Sequence, residues 1–403
     1  MNNVAVSLRM QGKYAEAEAM HRQTLRLRET VLGKDHPDTL TSINNVAESL
    51  RMEGKYAEAE TMHRQTLQLR ETVLGNDHPD TLTSMNNVAV SLRLQGKYAE
   101  AEAMHRQTLQ LRETVLGKVH PDTLTSMNNI AVSLRMEGKY AEAEAMHRHT
   151  LKLTGTALGN DHPDTLASMN NLAVSLRMQG KCSEAEAMFR QTLQLIETVL
   201  GNDHPDTLAS MNNLAVSLRM QGKYAEAEAM HRQTLQLNET VLGRDHPKTH
   251  TSMNNLAIAL EKQGRFAEAE AMHRQTLQLT GTALGNDHPD TLASMNNLAV
   301  SLRMQGKCSE AEAMLRQTLQ LTGTVLGKDH PDTLASMNNV AVSLRMEGKC
   351  AEAEAMHLQT LQLNGTVLGR DHPNTLTSIN NLAIALDKQG KYAEADAMHQ
   401  RAL

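Results

Sequence analysis

Tryptophan is absent from these 403 residues, phenylalanine occurs twice and tyrosine six times. Any core must therefore be assembled from leucine, alanine, methionine and valine. Cysteine is nearly as scarce. Cys182, Cys308 and Cys350 are odd in number and too widely spaced for a disulfide framework or a metal knot. No apolar run reaches the length of a membrane-spanning helix and no secretory signal pattern opens the chain. The expectation is a soluble, cytoplasmic chain with no membrane partner. A net charge of −6 supplies no global attraction to nucleic acid, so an RNA or DNA partner is disfavoured.

What the chain has in abundance is repetition. Glycine recurs every 42 residues from Gly12 and Gly54 to Gly390, and an Asn-Asn pair keeps the same register from Asn2-Asn3 to Asn380-Asn381. All nine prolines, Pro37 to Pro373, occupy one equivalent position. The three cysteines share the place that Tyr14, Tyr56, Tyr98 and Phe266 fill in other copies, and read as small, partly buried hydrophobes. A fixed period of this size marks a solenoid, a propeller or a helical array, not a globule with one closed core. With no linker or composition shift to cut at, residues 1–403 are expected to form a single array of about nine and a half copies. Met1 falls at the place of Ile43 and Leu403 at that of Leu361, so both ends interrupt a unit and the array is expected to be truncated at each.

One copy shows why the unit is a helical hairpin. Pro37 and Asp38 suit a helix start, since proline needs no N–H partner there and a carboxylate is favoured in the first turn. Leu40, Ile43, Val46, Ala47 and Leu50 then mark one face at helical spacing. Gly54-Lys55 interrupts that helix. A second stretch is expected to turn Tyr56, Ala59, His63, Thr66, Leu67, Val73 and Leu74 inward and to stop at Gly75. Segments such as Tyr224-Ala225-Glu226-Ala227 are rich in strong helix formers, which excludes a propeller of strands.

The run Asn45-Val46-Ala47 with Leu50, Gly54-Lys55-Tyr56 and Glu58-Ala59 resembles the tetratricopeptide repeat. Ala47 and Ala59 take that family's small positions, Leu50 its large one and Gly54 its turn. His63 and Thr66 depart from the family's usual aromatic and alanine, and Ala402 restores the latter. The 42-residue period and the closing Leu-Gly-x-Asp-His-Pro are similar to the repeats of kinesin light chains. The resemblance implies an all-α solenoid of helical hairpins with right-handed superhelical curvature. It also implies a non-enzymatic protein-interaction scaffold or cargo adaptor that needs no cofactor and binds extended peptides on its concave side. Kinesin heavy chain would be a partner if a coiled coil preceded the array. Repeats of this kind also resemble the ligand-sensing C-terminal arrays of NOD-like, STAND-type receptors, although no phosphate-binding G-x-x-x-x-G-K-[ST] occurs here. RNA-binding helical repeats are a further alternative.

Ten copies in one molecule act as a substitution series. Ala47, Leu50, Gly54, Glu58, Ala59 and Met62 have identical equivalents throughout and read as structural. The helix-B histidines, His21 to His399, admit Phe189 and Leu315 at the same site, so they read as packing groups and not as metal ligands. His36 and its equivalents in Asp-His-Pro read as helix-entry groups. Asn238-Glu239-Thr240 and Asn364-Gly365-Thr366 match the glycosylation pattern. No asymmetric constellation of nucleophile, base and acid exists, so no catalytic residue is assigned.

The candidate binding groups lie on the first helix. In tetratricopeptide geometry the first Asn of each pair faces the groove, giving Asn44, Asn86, Asn128, Asn170 and Asn212, flanked by Arg51, Arg93, Arg135, Arg177 and Arg219. An Asn amide donates and accepts at once, which suits the backbone of an extended peptide. Arginine presents a planar fork to carboxylates, so the peptides are expected to be acidic. Glu261 and Asp387 replace arginine in two copies and should break the column. The second Asn, such as Asn45, is expected to bond between neighbouring helices.

Overall fold

A computed structural model describes residues 2–402, with the side chain of Ala402 outside the description. Met1, Leu403 and the reading placed on Ala402 therefore lie beyond it. The described residues form twenty helices and no strand. The chain divides into two compact units, Met1–Ala259 and Leu260–Leu403.

The first unit contains α1 (Asn2–Met10), α2 (Tyr14–Leu32), α3 (Pro37–Met52), α4 (Tyr56–Leu74), α5 (Pro79–Leu94) and α6 (Tyr98–Val115). It continues through α7 (Pro121–Met136), α8 (Tyr140–Leu158), α9 (Pro163–Met178), α10 (Cys182–Leu200), α11 (Pro205–Met220) and α12 (Tyr224–Val241). The division falls inside α13 (Pro247–Lys262). The second unit goes on with α14 (Phe266–Leu284), α15 (Pro289–Met304), α16 (Cys308–Val325), α17 (Pro331–Met346), α18 (Cys350–Val367), α19 (Pro373–Asp387) and α20 (Tyr392–Ala402).

Odd-numbered helices open each copy and even-numbered helices close it. From α1 to α12 in the first unit and from α14 to α20 in the second, each helix packs mainly on its neighbours in the chain. The opening helices also touch across copies, α5 on α7, α7 on α9 and α9 on α11 in the first unit, α15 on α17 and α17 on α19 in the second. No two successive closing helices approach comparably among the described residues. A stack whose opening helices sit closer than its closing helices bends toward the opening ones, so within each unit those helices line the inner side.

Local chemistry sets the boundaries. His36 rather than an aspartate caps α3, its Nδ1 accepting from the Asp38 amide at 3.2 Å, and the same cap recurs at His78 and His120. Gly75 stops α4 at φ +91°, a left-handed conformation that a side chain would strain. Leu40, Ile43, Val46, Ala47 and Leu50 are all buried, as their spacing requires. Val73 is not. It is 43% exposed, and the inward position one turn earlier belongs to Arg70, which is 5% exposed. Arginine ends up inside because its guanidinium has fixed partners there, the Asp80 carbonyl and Ser84 Oγ, both at 2.9 Å.

Charged clamps also tie neighbouring copies. Glu60 accepts from Arg64 on its own helix, and from Gln95 and Lys97 of the next copy at 2.6 and 3.2 Å. Glu186 and Glu270 are held in the same way. The exposed Glu58 position contributes in several copies, where Glu184, Glu226 and Glu310 accept from the preceding copy's arginine. No helix among the described residues is long and apolar enough to cross a membrane.

Candidate functional site: the inner face of the opening helices

On the opening helices three positions, spaced four and three residues apart, look onto the inner side: the first Asn, an aliphatic residue (Glu48 in α3), and an arginine (Glu261 in α13, Asp387 in α19). In α5 these are Asn86, Val90 and Arg93, all half-buried. Asn44, Asn86, Asn128, Asn170 and Asn212 all take this half-buried place.

The asparagines are not independent. The second Asn of one copy donates to the first Asn of the copy before: Asn87 Nδ2 to Asn44 Oδ1 at 2.8 Å, Asn129 to Asn86 at 2.8 Å, Asn213 to Asn170 at 3.3 Å and Asn255 to Asn212 at 2.9 Å. Asn339 to Asn296 and Asn381 to Asn338, each at 3.0 Å, continue the pattern in the second unit. The second Asn thus bonds between helices as its sequence position predicts. The first Asn is half committed. Its carbonyl oxygen belongs to the fold. Asn128 departs from this pattern, its Oδ1 lying 3.3 Å from His147 Nδ1.

The arginines form the more unusual feature. Arg51 pairs with Glu48 at 2.7 Å. Arg93 has no carboxylate beside it, and its Nε lies buried without a hydrogen-bond acceptor. Burial lowers the Arg93 pKa, and Arg135 and Arg51 lower it further by repulsion. Arg177 is pushed down to about 10, by burial first and then by Arg135 and Arg219. It donates to the Asn213 carbonyl at 3.0 Å and stands 5.6 Å over the Phe189 ring. Arg303 and Arg345 repeat the arrangement in the second unit, where burial and mutual repulsion again lower Arg303. Burial disfavours the charged form of these arginines, and their like charges add to the cost.

Behind this row lie the helix-B histidines. His105, His231 and His357 are wholly buried with both ring nitrogens unpartnered. His105 is pushed down to about 4, mainly by burial and then by Arg93 and Arg112. His147, His231 and His357 behave alike, under Arg135, Arg219 and Arg345. In three copies an acid faces the histidine, Glu48 beside a retained Arg51, and Glu261 and Asp387 in the arginine's own place. His63 faces Glu48 at 3.5 Å, His273 faces Glu261 at 3.3 Å and His399 faces Asp387 at 3.6 Å. Among the described residues no group of His, Cys, Asp or Glu is arranged to hold a metal ion.

Asn238 and Asn364, which open the two glycosylation sequons, are each 4% exposed and bonded inside the fold, so neither is accessible to modification. The cysteines are free and half-buried, as packing groups would be.

The tetratricopeptide repeat family profile matches residues 1–72, 42–114, 80–155, 122–198, 164–240, 206–281, 248–324 and 332–403. The chain belongs to the tetratricopeptide repeat family. Its all-helical hairpins of about 42 residues are those of a tetratricopeptide solenoid. Among solved structures, it is similar to nearly identical TPR-like repeats from Podosopora anserina assigned to a kinesin light chain. The match has 27% identity over 51% of this chain and 97% of that one, at a TM-score of 0.43. A point variant of the same repeats gives 27% identity, the same coverage and a TM-score of 0.44. BtubC (BKLC) from P. vanneervenii shares 18% identity over 55% of this chain and 87% of its own, at a TM-score of 0.42. No curated protein matches the chain. A tetratricopeptide array of this type is consistent with a protein-interaction scaffold.

Sequence reasoning missed two elements, the buried Arg70 position and the Glu60 clamp. Both were signalled by constancy or by paired change between copies. Lys55, Lys97 and Lys139 recur beside Glu18, Glu60 and Glu102, and Arg28, Arg70 and Arg112 recur ten residues before Asp38, Asp80 and Asp122.

Proposed function

We propose that residues 1–403 act as one non-enzymatic, cytoplasmic scaffold or cargo adaptor whose opening helices bind an extended acidic peptide. The observation that carries this reading is the row Arg93, Arg135 and Arg177, partly buried, without carboxylate partners, with Arg135 repelling the arginine on either side. Carboxylates of a bound peptide would relieve that repulsion and form bidentate pairs with the planar guanidinium groups. The Nδ2 groups of Asn86, Asn170 and Asn212 supply donors for the peptide's backbone carbonyls alongside. Arg51 contributes less, because Glu48 already neutralises it. Glu261 and Asp387 repel acidic side chains, so Arg93 to Arg219 form the principal site.

The test is fluorescence anisotropy with a labelled, glutamate-rich peptide on the full chain. Binding should weaken as salt rises, since charges are screened beyond about 8 Å at physiological ionic strength. Exchanging Arg93, Arg135 and Arg177 for Glu should abolish it while circular dichroism stays helical. Arg177 packs on Phe189, so a companion set of exchanges to Gln separates lost charge from lost packing. Undiminished binding by both sets would refute the arginine row as the site.

A further inference from the structure

The residue at the Arg70 position differs between copies, and the differences leave two built pockets. Arg28, Arg70 and Arg112 fill the space between a closing helix and the next opening helix with their own guanidinium groups. Ile196 fills it with hydrocarbon, and it is 3% exposed. Asn238 and Asn364 are too short to do so. In the first unit a cavity of about 160 Å³ remains, lined by Pro205, Leu208, Asn212, Asn238, Lys248 and Ser252 among others. In the second unit, three copies on, the same place holds a cavity of about 130 Å³ between Pro331, Leu334, Asn338, Asn364, Asn374 and Ser378.

Each cavity is lined by a buried asparagine with an unmet acceptor. Asn238 donates its Nδ2 to Ser252 Oγ at 2.9 Å, which leaves its buried Oδ1 without a partner. Asn364 is bonded to Ser378 in the same way, with its Oδ1 equally stranded. A buried acceptor without a partner is destabilising, so these oxygens call for a donor. The lining also holds the half-buried Asn212 and Asn338, whose carbonyl oxygens accept from Asn255 and Asn381, so that Nδ2 is the group each can offer a ligand. The group that fits is therefore a donor and an acceptor at once.

It is also uncharged. Asp80 and Asp122 stand ten residues after Arg70 and Arg112, and their charge favours the guanidinium. After Asn238 and Asn364 alone, that aspartate is replaced, by Lys248 and Asn374. The countercharge for a cation has gone from these two copies and stays in the others. An engineered apolar cavity of about 150 Å³ takes one benzene, so either pocket admits a single side-chain head group with its methylenes. Leu208 and Leu334 line the apolar wall for those methylenes.

We infer that these two pockets are subsites for a carboxamide side chain, glutamine or asparagine, carried by a bound polypeptide. Its N–H donates to Asn238 or Asn364 Oδ1 and its carbonyl accepts from Asn212 or Asn338 Nδ2. The polypeptide part of this inference rests on the inner face being the ligand face, but the pocket chemistry does not require the ligand to be acidic.

The test uses N-acetylglutamine methylamide as probe on the full chain, followed by saturation-transfer NMR, with the glutamate and leucine analogues as controls. A saturable signal is expected for the glutamine probe only. Exchanging Asn238→Arg with Lys248→Asp refills one pocket as Arg70 and Asp80 do, and should halve the signal. Adding Asn364→Arg with Asn374→Asp should remove it. Asn238→Ile with Asn364→Ile, on the precedent of Ile196, is a second way to fill both if the arginine set does not fold. No saturable signal with the parent chain, an equal or stronger signal from the glutamate probe, or a signal that survives both refilled sets would each overturn the assignment. Because no acidic peptide is involved, failure of the arginine row would not produce any of these outcomes.

Discussion

His63 and His105 occupy the same position of adjacent copies and are equally buried, yet they meet opposite surroundings. His63 faces a carboxylate, because Glu48 stands where the next copy has Val90. His105 faces arginine, with Arg93 and Arg112 both adding to the burial that pushes it down to about 4. Burial works to raise the Glu48 pKa, but His63 and Arg51 outweigh it and hold it at about 2. One residue of the opening helix thus decides whether the imidazole stands beside a carboxylate or under an arginine. The same fold unit can therefore carry a neutralised inner face or a cationic one without any change of backbone.

The largest expected difference is in acid. A histidine whose folded pKa is depressed contributes no penalty above about pH 6.5, where it is neutral in both states. As pH falls from 6.5 toward 4, the unfolded chain takes up the proton and the folded one does not, so stability is lost across that window. For His105, His147, His231 and His357 the shift from 6.5 to about 4 corresponds to roughly 3 kcal/mol each at most. Urea midpoints should fall steeply between pH 6.5 and 4. Replacing these four by Phe, as at Phe189, should flatten that fall. Glu48 works in a separate window, its contribution being complete above about 4.5 and lost as pH drops through 2. An unchanged midpoint between pH 6.5 and 4 in the parent chain would break the comparison at its root.

At neutral pH the two histidines should answer the same substitution with opposite signs. His105→Phe removes two unpartnered buried nitrogens and should be neutral or stabilising by about 1 kcal/mol, since unmade buried polar groups cost about 1–3. His63 also has both ring nitrogens without a hydrogen-bond partner, but it stands 3.5 Å from Glu48, so His63→Phe removes a favourable neighbour of that carboxylate and should destabilise by about 1 kcal/mol. Equal effects in equilibrium unfolding would mean that the neighbouring charge is irrelevant.

The fold behind this contrast is legible in the sequence because periodicity depends only on where apolar residues recur. Leu40, Ile43, Val46, Ala47 and Leu50 need no knowledge of neighbours to be placed inside. The site is legible only in part, because its chemistry arises between copies. Asn44 looks like a free amide until Asn87 is seen to occupy its oxygen, and Arg70 looks like a surface residue until Ser84 and the Asp80 carbonyl are brought to it. Paired change within the chain, Asn238 with Lys248 and Asn364 with Asn374, was the sequence trace of those contacts. Helical spacing alone carries no information about the next copy's side chains.

A third prediction converts one copy into the other. Val90→Glu places a carboxylate near His105 and Arg93, as Glu48 lies near His63 and Arg51. The His105 pKa should rise from about 4, read from its ring proton shifts. Acidic-peptide affinity should weaken roughly fivefold, on the order of 1 kcal/mol, because two unit charges at about 4 Å interact by that much in water. A pKa that stays put would show that burial alone, and not the facing charge, sets His105.

The smallest effect separates the two arginines. The Arg51 and Glu48 side chains are 25% and 18% exposed, so solvent screens their pair and its worth should be about 0.5–1 kcal/mol. Arg51→Gln should cost that much, and a double-mutant cycle with Glu48→Gln should assign most of it to the pair. Arg93→Gln loses no carboxylate and relieves repulsion from Arg51 and Arg135, so its effect should lie within about 0.5 kcal/mol of zero, or be slightly stabilising. The ordering is the decisive feature. An arginine kept for folding should cost more to remove than one held at rest against its neighbours, and Arg93 is expected to be the cheaper of the two to lose. If Arg93→Gln proved the costlier in urea unfolding, the row would be part of the scaffold's own bonding, and its unpaired charge could not be held in reserve for a ligand.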